Sequence, residues 1–139
     1  MGRKSKGDRH TIISSMPLEA GMQVKAEAAK LGCYVADYIA YVVCERVGVY
    51  MHIPTGEVAD HPDPLPGPGD LVRYRTMVPR RAADLVIDES GRRGISLSDV
   101  VAEALCDRFE IPFTPTVKKK ALRAWAKAAE AGEQLPMTG

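Results

Sequence analysis

The sequence predicts a mainly α fold in which two strand-helix-helix units pair within one chain, their strands forming a short two-stranded antiparallel β-ribbon over four helices. Three observations lead there. At an offset of 62 the chain aligns residues 10–49 with 72–111 without gaps, giving nine identities: Pro17/Pro79, Ala20/Ala82, Val24/Val86, Glu27/Glu89, Gly32/Gly94, Asp37/Asp99, Ala40/Ala102, Cys44/Cys106 and Arg46/Arg108. A repeat of this kind decides the fold before any single residue does. The proline and the glycine that punctuate each copy stand 15 positions apart both times. Finally, about forty residues bury too little surface to fold alone, and a lone strand leaves its backbone groups unpaired, so the copies must pair.

Each copy reads the same way along its length. Residues 10–16 and 72–78 are rich in β-branched side chains and alternate in character, which predicts strands of about seven residues. Pro17 and Pro79 suit the first helical turn, where the missing N–H is no loss. Ala20, Val24, Ala28 and Leu31 in one copy, and Ala82, Leu85, Val86 and Ser90 in the other, then recur at helical spacing. Gly32 and Gly94 end those helices as left-handed residues. In the second copy Ser96 and Asp99 resemble a capping box, followed by an apolar stripe of Leu97, Val100, Val101, Ala104, Leu105 and Phe109. The first copy repeats the stripe with Val35, Ile39, Val42, Val43 and Val47, but Tyr34 replaces the capping serine.

The flanking segments differ from the repeats. Residues 1–9 form a basic, flexible arm, residues 50–70 an acidic linker rich in Pro and Gly, and residues 112–139 a basic tail with a helix expected over 116–131. Extended at about 3.1 Å per residue, the linker reaches roughly 60 Å, enough for one copy to fold back on the other. Nineteen basic against eighteen acidic residues leave a net charge of only +1. That balance conceals a segregation: the arm carries +3, residues 10–49 −1, the linker −4, residues 71–111 zero, and the tail +3.

The order strand, Pro17, helix, Gly32, helix and again strand, Pro79, helix, Gly94, helix resembles the ribbon-helix-helix family of DNA-binding proteins, the Arc and methionine repressor type. The resemblance covers both repeats, roughly 80 of 139 residues, and leaves out arm, linker and tail. It implies an antiparallel ribbon on a four-helix core, here as an intramolecular pseudo-dimer of tandem repeats, and double-stranded DNA as partner. Some plasmid-transfer accessory proteins of the family also carry both copies in one polypeptide.

Strand side chains alternate between faces. Counting back from each proline, Met16, Ser14, Ile12 and Val78, Thr76, Tyr74 form one face, and Ser15, Ile13, Thr11 and Met77, Arg75, Arg73 the other. The family's groove-facing set corresponds to the latter, and the two arginines there match its expected chemistry, because Arg forms bidentate pairs with guanine O6 and N7. Thr11 and Ser15 suit bases or phosphates, and Ile13 and Met77 a thymine methyl. The family clamps phosphate at the N-terminus of each second helix, which maps to Ser96 and Leu97 and, by alignment, to Tyr34 and Val35. Arg3, Lys4, Lys6 and Arg9 of the arm are placed to follow the phosphates. The two outer faces differ, so unequal half-sites are expected.

Other chemistries are not indicated. His52, Asp60, His61 and Asp63 match no metal-site spacing, so no metal or cofactor is expected. Gly67-Pro-Gly69 lacks the lysine of a phosphate loop, no Ser, His and Asp pattern suggests catalysis, and no enzyme is read. Three cysteines without C-x-x-C spacing point to buried small hydrophobes in a reducing cytoplasm, Cys44 and Cys106 standing at equivalent places where they can face each other. No apolar stretch approaches a membrane span or a signal peptide. The expected function is sequence-specific DNA binding by a transcriptional repressor, with pseudo-dimers able to associate on DNA. Two alternatives are a plasmid-transfer accessory protein with a relaxase partner and an antitoxin that holds a toxin through its tail.

Overall fold

The computed structural model describes residues 8–56 and 60–130. In chain order the elements are β1 (Arg9–Pro17), α1 (Leu18–Leu31), α2 (Val35–Arg46), β2 (Leu65–Pro66), β3 (Leu71–Pro79), α3 (Arg80–Arg93), α4 (Leu97–Arg108) and α5 (Lys119–Glu130). The fold is mixed α/β, with five helices and a three-stranded antiparallel sheet in the order β1-β3-β2. The simple two-stranded ribbon expected from the sequence is thus corrected: Leu65 and Pro66 pair with Arg73 and Val72 on the outer edge of β3.

Strands β1 and β3 pair along their whole lengths, and Ile13 lies opposite Arg75. Those two residues are equivalent at the offset of 62, so the ladder is centred on the repeat's own equivalence. The inner face buries Ile12, Ser14 and Met16 of β1 with Tyr74, Thr76 and Val78 of β3. Two polar members of that face reach across to the other unit's second helix. Ser14 Oγ donates to the Ser98 carbonyl at 3.0 Å and Thr76 Oγ1 to the Ala36 carbonyl at 2.7 Å. These bonds are again equivalent at the offset of 62, so each strand is tied to the helix of the opposite repeat.

Beneath the sheet, α2 and α4 cross through a core of Ile39, Val43, Val101 and Leu105. Gly32 and Gly94 end α1 and α3 with φ of 73° and 66°, the left-handed backbone a glycine adopts without strain. Several details differ from expectation. Pro17 and Pro79 close the strands with ψ of 147° and 143° and act as N-caps, because proline fixes φ but leaves ψ free. Arg9 belongs to β1, not to the arm. Leu31 points outward and is 44% exposed, and Leu85 and Ser90 are only half-buried. Ser90 Oγ instead donates to the Ile95 carbonyl at 2.5 Å.

The linker, though largely exposed, is tied to the first repeat and to β3 at several points. Gly56 N donates to Gly32 O at 2.9 Å, His61 Nε2 lies 3.0 Å from Cys33 O, and Asp63 pairs with Lys25 at 2.6 Å. Tyr74 donates its hydroxyl to Pro62 O at 2.7 Å, and burial with the nearby Asp63 charge pushes the phenol up to about 12. A Cβ on Gly21 would stand 2.7 Å from Val72 Cγ2 and 3.3 Å from Pro64 Cγ, so the linker and β3 close over α1 at a residue with no side chain. Cys33, Cys44 and Cys106 are buried and free, with Cys44 Sγ 3.8 Å from Met51 Sδ. Among the described residues no helix is long and apolar enough to cross a membrane.

A charge network joins the repeats behind the core. Arg46 of α2 reaches Glu89 at 3.0 Å, Glu103 at 2.5 Å and Asp107 at 3.3 Å, and Arg93 reaches Glu89 and Glu103, each at 2.6 Å. Burial would raise the Glu89 carboxyl, but the hydrogen bonds and charges of Arg46 and Arg93 prevail and hold it low. The hydrogen bond from Arg93 is the largest influence on Glu103 and holds it low against burial. A carboxylate with a lowered pKa stabilises the fold above its unfolded value of about 4.3 and loses that contribution as pH falls through its folded value. The thermal midpoint should therefore fall on acidification below about pH 4.3, and fall less steeply in Glu103→Gln, which has no carboxylate to protonate. Equal steepness in the two proteins would exclude Glu103 from the acid response.

Candidate nucleic-acid interface

The outer face of β1 and β3 presents Thr11, Ile13, Arg73, Arg75 and Met77 as exposed side chains, with Ser15 half-buried. Their pairing is Thr11 opposite Met77, Ile13 opposite Arg75 and Ser15 opposite Arg73. The six form one row of three cross-strand pairs. Arg75 occupies the centre, beside a 55% exposed isoleucine. On β1 the three members of the row are uncharged, and the guanidinium of that strand, Arg9, stands beyond its end, opposite Pro79.

The two arginines differ in surroundings. Arg73 Nε donates to Pro66 O of β2 at 3.0 Å. Ile13, Pro62, Asp63, Leu65, Arg73 and Arg75 line a cavity of about 520 Å³ between the outer face and the returning linker. Strands stand about 4.8 Å apart, so three span about 10 Å between outer axes. A B-DNA major groove is about 12 Å wide and readily takes two strands. At the Arg73 end the sheet is therefore nearly as wide as the groove before side chains are counted, whereas the Thr11/Met77 end remains two strands wide.

The N-termini of α2 and α4 both meet the ribbon, α4 at the free edge of β1 and α2 at the inner face of β3. Ser98, in the first turn of α4, accepts from Ser15 N through its Oγ at 2.8 Å and so lies against the free edge of β1. Ala36, in the first turn of α2, lies against Thr76 of β3. Helix N-termini carry partial positive charge and bind phosphate. Ser96 caps α4 by accepting from Asp99 N at 3.0 Å, with Leu97 as the first helical residue. Tyr34 is the extended N-cap residue of α2 and makes no side-chain cap hydrogen bond, and Val35, the first helical residue, is buried. The capping box is not reciprocal: the Asp99 carboxylate accepts from Thr116 N of the tail at 2.9 Å.

Among the arm residues, Arg3, Lys4 and Lys6 lie outside the described residues. Arg9 donates from Nη1 to Met77 O at 3.1 Å across the ribbon, so it sits at the edge of the row and helps close the ladder. The tail helix begins at Lys119, three residues later than expected, and Val117 is 56% exposed. Leu122, which the sequence does not single out, packs on Gly94. A second omission is β2: nothing in residues 50–70 marks a pairing segment, because two residues have no periodicity. Arg80 and Arg81 at the start of α3 are also exposed, Arg80 bonding the Asp8 carbonyl through its amide at 3.1 Å.

Among the described residues no group of three or more His, Cys, Asp or Glu is placed to hold a metal ion. His61 and Asp63 are engaged with Cys33 O and Lys25. In comparisons with known proteins the chain matches no family model, no curated protein and no solved structure.

Proposed function

We propose that this protein binds double-stranded DNA sequence-specifically, the outer face of β1 and β3 entering the major groove and the two repeats acting as a ribbon-helix-helix pseudo-dimer. One observation carries the reading. Arg73 and Arg75 share a solvent-facing row with small polar and apolar side chains, the N-terminus of α4 stands at its β1 edge, and that of α2 meets β3 from the inner face. A guanidinium supplies the bidentate donor pair for guanine, and the helix ends suit phosphates. Occupancy of an operator is enough for repression, and repression is the role we assign.

Titration of the whole protein with a mixed-sequence duplex at several salt concentrations tests the reading. Non-specific affinity is expected at roughly 1–100 µM near physiological salt, falling linearly on a log-log plot as salt rises. Absence of a salt-dependent complex would contradict it.

A further inference from the structure

The carbonyl that follows each first helix is met from outside, and the two visiting segments carry opposite charge. In the first repeat Gly32 O accepts from Gly56 N, at the head of a linker that contains Asp60, Asp63 and Asp70 and no Lys or Arg. In the second repeat Gly94 O accepts from Lys118 N at 2.6 Å, at the head of Lys118, Lys119, Lys120, Arg123 and Lys127. Residues 111–129 contain no Asp or Glu, and all five basic side chains are exposed.

The tail is held in that place by its own packing. Thr116 N is bonded to Asp99 in the first turn of α4. Leu122 and Trp125 of α5 fill the space that Gly94 and Gly91 leave by lacking side chains, so close that a Cβ on either glycine would overlap them. Because α4 in turn touches Ser14 and Ser15 through Ser98, the basic stretch starts at one edge of the candidate DNA face.

We infer that Lys118, Lys119 and Lys120, continued by the exposed face of α5, form a second phosphate-binding surface beside the α4 N-terminus, gripping the DNA backbone on one side of the site only. The inference rests on the ribbon as the DNA reader and adds to it a one-sided backbone contact. The matching place in the first repeat is occupied by acidic chain, which repels phosphate. Charge and location together select DNA backbone as the occupant.

The test compares three full-length proteins on one mixed-sequence duplex across a salt series: the parent, Lys118→Gln/Lys119→Gln/Lys120→Gln, and Gly91→Leu. The triple variant should bind about 10- to 100-fold more weakly near 0.1 M salt, with a log-log salt slope shallower by about 2–3. Gly91→Leu keeps every charge but displaces Trp125, the only tryptophan, so its fluorescence should shift to the red while affinity falls as in the triple variant. A parent that binds, with an unchanged slope in the triple variant, overturns the inference and leaves the ribbon reading intact. Full affinity in a Gly91→Leu protein whose tryptophan has shifted overturns the docked placement. A parent that binds no DNA overturns inference and reading together.

Discussion

Alanine at Arg75 should cost the protein its preference for guanine at the centre of the bound site, a loss of about 1–3 kcal/mol, or roughly 5- to 150-fold, in discrimination between the preferred and the substituted base pair. The size follows from position. Arg75 is exposed on the middle pair of the ladder, opposite Ile13, where a ribbon enters the groove most deeply. Arg73→Ala should have the smaller effect, because that guanidinium already donates to Pro66 O and the added strand widens the sheet there. Arg75→Lys separates charge from geometry. Lysine keeps the positive charge but lacks the planar fork, so non-specific affinity should persist while base preference falls. Competition binding against duplexes with single substituted positions reads both quantities. Equal discrimination in the parent and in Arg75→Ala would remove this side chain from base recognition.

Tyr38→Ala should be the most damaging single truncation in the core, costing about 3–5 kcal/mol. Tyr38 is 2% exposed, its ring stacks on Phe109 with centroids 6.4 Å apart, and its hydroxyl accepts from Arg108 Nε at 3.1 Å. Arg108 also pairs with Glu45 and lies over the Tyr41 ring, 5.7 Å from its centroid. All these contacts join α2 to the C-terminal end of α4 and the Phe109 that caps it, so the cavity would open where the repeats hold each other. Tyr38→Phe removes only the hydroxyl and should cost about 1 kcal/mol. Against a typical total of about 5–15 kcal/mol, the alanine variant removes a large fraction of stability. Urea unfolding monitored by circular dichroism measures the difference. A Tyr38→Ala protein within about 1 kcal/mol of the parent would show that the α2–α4 contact does not hold the repeats together.

The parts of this architecture legible in the sequence are those set by local rules or by self-similarity. The offset of 62 locates both strands and both helix pairs, and period-two counting from the prolines separates the buried side chains from the exposed ones at all six inner positions, Ile12, Ser14, Met16, Tyr74, Thr76 and Val78. Gly32 and Gly94 mark helix ends because only a left-handed residue fits there. What stayed hidden depends on where distant segments come to rest. Pairing of Leu65 and Pro66 with β3 follows from the path of the linker over Gly21 and α1, which proline and glycine content alone reads as solvated chain. The seat of α5 on Gly91 and Gly94 is equally non-local, since a glycine inside a helix gives no sign of which side chain will fill its notch. The candidate row was visible as residues; the unequal state of Arg73 and Arg75 was not, because it comes from β2.

Selection of binding sites from random duplex DNA by the whole protein tests the central claim, that the paired outer face of β1 and β3 reads base sequence. The account predicts recovery of one asymmetric motif, guanine-rich in the part contacted by Arg73 and Arg75 and more tolerant in the part contacted by Thr11, Ile13 and Ser15. Recovered sequences no different from the starting pool would contradict it.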